Sequence, residues 1–211
     1  YGDLWGDDVM GKVMGRPHSM MAGIGLYLDH AGIVPSNRML DAYKSEEDMR
    51  RIWEQITQFA IDHKAHVKQF WNDADAQING FMQNDVVLGQ TWDGPPLRLK
   101  KEGKPVTYMA PQEGALTWLD GLAMPIGAKN IDEIYEYINY VYDPEVNGLI
   151  ANETGYNPVA VGAENYLSPE SKTAFSEAYP GDALDRLWWW PPSQPWYTEI
   201  RAEYRDKFVA A

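Results

Sequence analysis

The 211-residue chain carries 31 acidic against 18 basic side chains, a formal charge of -13, so repulsion replaces attraction toward a phosphate backbone and nucleic acid is excluded as a partner. It has no cysteine, which removes disulfides, thiolate metal sites and a cysteine nucleophile and suits an export compartment. Neither a run of about 18 apolar residues nor a basic amphipathic segment occurs, so no helix is expected to span a membrane or lie on one.

Lys12-Val13-Met14 reads as a short strand, and Gly15-Arg16-Pro17-His18-Ser19 turns it into an apolar helix ending near Gly32. Pro17 suits the first helical position, and Gly32 suits the residue beyond the last. After a connection over Ser36 to Asp41, Ser45-Glu46-Glu47-Asp48 reads as an N-cap with acids in the first turn. Met49, Ile52, Ile56 and Phe59 then recur at helical spacing. His63 and His66 stand three apart and read as a solvated turn; Asp73 and Asp75 read as a helix start. Ala65 to Phe70 alternates like a strand, Asp73 to Met82 is a short helix, and Val86 to Trp92 is an apolar run too short for one. Later, Ile131, Ile134, Ile138 and Val141 share one helical face, with Asn130 and Glu133 placed as a capping box, and Pro144 to Thr154 forms a second helix closed by Gly155. Strands alternating with helices predict an α/β fold. The tail holds Trp188-Trp189-Trp190-Pro191-Pro192 and Trp196, aromatic enough for either packing or ligand contact.

The stretch from Leu88 to Pro125 places Trp92 beside Asp93 and Trp118 two residues before Asp120. An indole face next to a carboxylate attracts an organic ammonium, because ring quadrupole and anion both favour positive charge. The same pairs also fit half-buried aromatics beside solvated acids.

Met82-Gln83-Asn84-Asp85-Val86-Val87-Leu88-Gly89, Thr91-Trp92-Asp93-Gly94, Thr117-Trp118-Leu119-Asp120-Gly121-Leu122-Ala123-Met124-Pro125, Ala128-Lys129-Asn130, Thr154-Gly155-Tyr156-Asn157-Pro158 and Leu167-Ser168-Pro169-Glu170 keep the order and spacing of the periplasmic spermidine/putrescine-binding proteins. The chain resembles that family of ABC-importer substrate-binding subunits. The resemblance implies a type II-like two-lobed periplasmic-binding-protein fold, here one full lobe plus part of the other. Residues 1–116 are expected in lobe 2, 117–166 as a return into lobe 1 with hinge crossings, and 167–211 back on lobe 2. The N-terminal part of lobe 1 is expected to be absent, and any signal peptide removed.

The resemblance also implies capture of a small amine or amino acid in the interlobe cleft, no cofactor, no metal and no catalytic residue. It further implies a monomer in the bacterial periplasm that docks on ABC permease subunits. Trp92 and Trp118 match tryptophans that sandwich the ligand's methylene chain, Asp120 matches an acid that holds an amine, and Tyr156 and Trp190 match pocket aromatics. Asp93 joins them as an acid beside Trp92. Where the polyamine binders carry acids for the second amine, this chain has His18 and Met21, with Arg16 beside them. With Ser19 and a helix N-terminus, Arg16 and His18 describe an anion site instead, so a zwitterionic ω-amino acid such as 4-aminobutyrate is the expected ligand alongside putrescine and spermidine.

A sugar-binding importer subunit is an alternative, since carbohydrate also stacks on indole. A Trp-rich glycoside hydrolase using Asp93, Glu113 or Asp120 is another. No Gly-x-Ser-x-Gly, His-Glu-x-x-His or phosphate-cradling glycine loop is present. Asn152-Glu153-Thr154 matches a glycosylation acceptor by chance.

Overall fold

In the computed structural model, which describes residues 1–211, the elements run β1 (Val13–Gly15), α1 (Pro17–His30), α2 (Glu46–Asp62), β2 (Val67–Phe70), α3 (Ala74–Gln83), β3 (Leu88–Gly89), α4 (Gly94–Lys101), β4 (Leu116–Thr117), α5 (Ile131–Val141), α6 (Pro144–Thr154), α7 (Pro169–Ala178), β5 (Trp188–Trp189) and α8 (Pro195–Ala210). This is a helix-rich α/β chain. It divides into two compact units: Tyr1–Trp92 with Ala110–Thr117 and Gly181–Ala211, and Asp93–Met109 with Trp118–Pro180.

In the first unit β1 lies between β2 and β3, all parallel. Parallel neighbours need crossovers, which α1 with α2 and then α3 supply. α1 buries Met20, Met21, Ile24, Leu26 and Leu28 around most of its circumference, as a helix surrounded by other elements must. Pro17 stands at its start, and Gly32, just beyond its end, takes φ +71°. Ser45 caps α2, its hydroxyl accepting from the Asp48 amide at 3.1 Å, and Met49, Ile52, Trp53, Ile56 and Ala60 are buried. Asp73 caps α3 in the same way, at 2.8 Å.

α8 closes this core with Tyr197, Ile200, Tyr204 and Phe208. Tyr197 stacks on Tyr43 at 4.0 Å and meets Trp53 edge-on at 6.3 Å. The segment leading into α8 is tied down by Arg38. Its carbonyl accepts from Trp188 Nε1 at 2.6 Å, and its guanidinium donates to the Arg186 carbonyl at 2.7 Å. Gly114, at φ +110°, passes so close to that carbonyl that a Cβ would lie 2.1 Å from it, so glycine is required there.

In the second unit Asp143 caps α6, accepting from the Glu145 amide at 3.0 Å, and Ser168 caps α7, accepting from the Ser171 amide at 3.1 Å. Asn147 accepts from the amides of Val159 and Ala160 at 3.0 and 3.1 Å. Asn152 donates to the Tyr166 carbonyl and accepts from the Ser168 amide, both at 2.9 Å. The triplet that mimics a glycosylation acceptor thus serves as a loop tie.

Three readings of the sequence need correction. Asn130 precedes α5 but makes no side-chain cap bond, so the capping box is not formed. His63 and His66 are no solvated turn: His63 stacks on Phe59 at 4.0 Å, His66 is buried, and both meet the Trp5 ring edge-on. Periodicity also left α4, α7 and α8 unassigned. Residues 93–109 and 167–180 lie in the second unit, where Lys100 of α4 pairs with Glu177 of α7.

Candidate ligand-binding site

Each unit assembles its own group of the side chains singled out in the sequence. In the second unit Trp118 and Asp120 are exposed, with the indole Nε1 donating to Asp120 Oδ2 at 3.3 Å. Asp93 caps α4, accepting from the Gly94 amide at 3.0 Å, and its other oxygen accepts from Asn157 Nδ2 at 3.4 Å. Burial raises its carboxyl above the usual carboxylate range. Tyr156 follows Gly155, which ends α6 at φ +79°. Its hydroxyl is pushed up by burial and then by the charges of Asp93 and Asp120, which places the three groups in one electrostatic neighbourhood. Neither acid is paired with a lysine or arginine. Two carboxylates flanked by an indole and a phenol make a surface that favours an ammonium.

In the first unit Trp92 follows β3, its amide donating to Gln77 Oε1 at 3.0 Å. Its ring stands edge-on to Trp71 at 5.0 Å, and the Arg16 guanidinium lies 6.0 Å from its centroid. The protein therefore puts a cation of its own beside this indole, at the outer limit of cation–π contact. Arg16 is also the N-cap residue of α1 and makes no side-chain cap bond. His18 lies beside Trp190, 6.4 Å between ring centres. Burial, followed by the charges of Arg16, Arg201 and Arg205, holds its pKa down at about 4, so the imidazole is neutral at physiological pH and acts as a dipole. Ser19 is half-buried, and its carbonyl accepts from Gln90 Nε2 at 2.8 Å. Trp190 packs edge-on to Trp188 at 5.1 Å against the core.

No group of three or more His, Asp or Glu side chains could hold a metal ion. Sequence reasoning missed Asn157, which holds Asp93, and Arg201 and Arg205, which act on His18. The signal for the arginines was their spacing of four on a segment where Tyr197, Ile200, Tyr204 and Phe208 mark a buried face.

Residues 2–179 match the family model described as bacterial extracellular solute-binding protein. The chain belongs to this family. Within it, the chain is 33% identical over 109 residues to the spermidine/putrescine-binding periplasmic protein of Escherichia coli (strain K12), covering 50% of this chain and 31% of that one. It is 31% identical over 118 residues to spermidine/putrescine-binding periplasmic protein 1 of Haemophilus influenzae, covering 56% and 32%. The matched stretch of the chain thus spans about a third of the length of these curated relatives. A crystal structure of an ABC transporter from Clostridium perfringens ATCC 13124 is similar with a TM-score of 0.56 at 17% identity, over 99% of this chain and 61% of that one. That likeness concerns the fold, and it agrees with the partial two-lobed α/β architecture expected from the sequence.

Proposed function

We propose that this chain carries ligand-gripping residues of the substrate-binding subunit of an ABC importer, working without catalysis in the bacterial periplasm and passing an amine-bearing solute to the membrane permease. The observation that carries the amine is the pair of acids in the second unit, Asp93 and Asp120, left without a protein cation beside Trp118 and Tyr156. Relatives named for spermidine and putrescine support the same chemistry.

Arg16 narrows the solute further. A guanidinium near Trp92 repels a second ammonium and, with His18 and Ser19 at the start of α1, favours an oxyanion. A solute with one ammonium and one carboxylate, such as 4-aminobutyrate, carries a charge complementary to each group of residues, whereas a diamine complements only the acids.

Calorimetric titration of the protein with putrescine, spermidine and 4-aminobutyrate tests this reading. We expect Asp120→Ala to weaken every amine, and Arg16→Ala to weaken 4-aminobutyrate while leaving putrescine unweakened. Tight putrescine binding with no 4-aminobutyrate binding would restore the plain polyamine reading. An Asp120→Asn protein that binds a sugar as well as the parent does would move the assignment to a sugar importer.

A further inference from the structure

The first unit contains a cavity of about 540 Å³ bounded by the start of α1, the end of β2 and the outer face of α8. Its wall includes Arg16, Arg201 and Arg205 together with His18, Asn72 and Asp206. All three arginines are half-buried, in a chain whose formal charge is -13. Arg205 spends part of its charge on its neighbour Asp206, 2.7 Å away. Arg16 and Arg201 have no carboxylate partner.

Gathering three guanidiniums around one hollow costs mutual repulsion, and folding alone gives no return for it. α8 would pack its buried face equally well with neutral residues at 201 and 205, because that face is made by Tyr197, Ile200, Tyr204 and Phe208. Asp206 offsets part of that cost at Arg205, and an anion in the hollow would offset the rest. The 14-residue helix α1 also opens at its edge, adding amide donors and the positive end of the helix dipole. Asn72 contributes a neutral donor, and His18, held neutral by burial and then by the same arginines, can donate or accept.

We infer that this cavity is an oxyanion-binding pocket, in which Arg201 and Arg205 of α8 join Arg16 in holding a carboxylate, sulfonate or phosphate group. The pocket deepens the zwitterion reading by supplying the residues that would hold the solute's anionic end. It does not depend on that reading, because a free anion has the same chemistry.

The test titrates the full chain with sulfate by calorimetry and thermal shift, against chloride at matched ionic strength, and repeats it with 4-aminobutyrate and with putrescine. Sulfate is expected to bind saturably where chloride does not. Arg201→Ala with Arg205→Ala should weaken it about tenfold to a hundredfold, and Arg201→Lys should retain part of the affinity. Competition between sulfate and 4-aminobutyrate identifies the solute's own carboxylate as the occupant; simultaneous binding identifies a separate anion. Sulfate that acts no differently from chloride, or that binds the double variant as well as the parent, overturns the pocket. Should the double variant not fold, the salt-matched comparison on the parent protein with Arg201→Lys decides alone. The two readings fail separately: sulfate without amine binding removes the amine assignment, and amine without sulfate binding removes the pocket.

Discussion

α2 in the first unit and α5 in the second present the same spacing of apolar side chains, yet they meet different fates. α2 buries Met49, Ile52, Trp53, Ile56 and Ala60, whereas α5 buries none of its residues. In the segment before it Leu119, Leu122 and Ile126 are also exposed. Periodicity says which face of a helix seeks cover. It does not say whether this stretch of chain provides it. The first unit is organised by its core, while the helices of the second lean on caps and side-chain ties such as those of Asn147 and Asn152.

Substitution inside the two helices should bring out this contrast most strongly. Trp53 has no exposed surface and contacts the rings of Tyr197 and Tyr204, so Trp53→Ala should cost about 3–5 kcal/mol in denaturant unfolding. Ile138→Ala on α5 removes a side chain that is only half-buried, and should cost under about 1 kcal/mol. Equal losses would mean that the α5 stripe is covered in solution, and the contrast would fall.

Function should divide along a different line. Asp120 is exposed and supports only the Trp118 indole, so Asp120→Ala should leave the melting temperature in place while weakening amine binding by about 1.5–3 kcal/mol, read by calorimetry. Asp93→Asn should weaken amines as well, but with some loss of stability, because Asp93 caps α4 and holds Asn157. An Asp120→Ala protein that loses stability but keeps amine affinity would make the acid structural.

Much of this was legible in the residues themselves. Pro17, Ser45, Asp73 and Gly155 mark helix ends through local stereochemistry, and the Trp118–Asp120 pair announces its contact by spacing alone. α8 escaped notice because its buried set mixes tyrosine with Ile200 and Phe208 among six charged residues, and because the tryptophans just before it and in its first turn invite a ligand explanation. Of these, Trp188 is buried in the core and Trp190 and Trp196 pack against it. α4 hid behind two prolines and a length of only eight residues. Only the Arg16 and His18 end of the arginine cavity was legible, since Arg16 and Arg201 are brought to one wall by tertiary packing and share no local pattern.

The acid response of the first unit should follow His18. An unfolded chain protonates this imidazole near 6.5, while the folded one, partly buried and then crowded by Arg16, Arg201 and Arg205, takes its proton only near pH about 4. Between those values the unfolded state binds the extra proton, so stability falls as pH drops through the window and is insensitive to this group above it. The loss should reach roughly 1–2 kcal/mol once solvent screening of the part-exposed ring is discounted. His18→Asn should remove that slope in urea titrations between about pH 6.5 and 4. Saturating sulfate should shrink this slope, because an anion in the cavity favours the imidazolium and brings the folded pKa closer to that of the unfolded chain.

The smallest expected effect compares two helix starts. Ser45 and Asn130 are both good capping residues by type, but Ser45 accepts from the Asp48 amide at 3.1 Å, while Asn130 has φ -91° and ψ 60° and leaves its side chain out of the cap. Ser45→Ala should therefore cost about 1 kcal/mol, and Asn130→Ala only a few tenths, set by the backbone freedom of the unfolded chain rather than by a lost bond. A loss of about 1 kcal/mol at Asn130 as well would mean that its side chain turns in to complete the cap in solution, and α5 would then start with the same local support as α2.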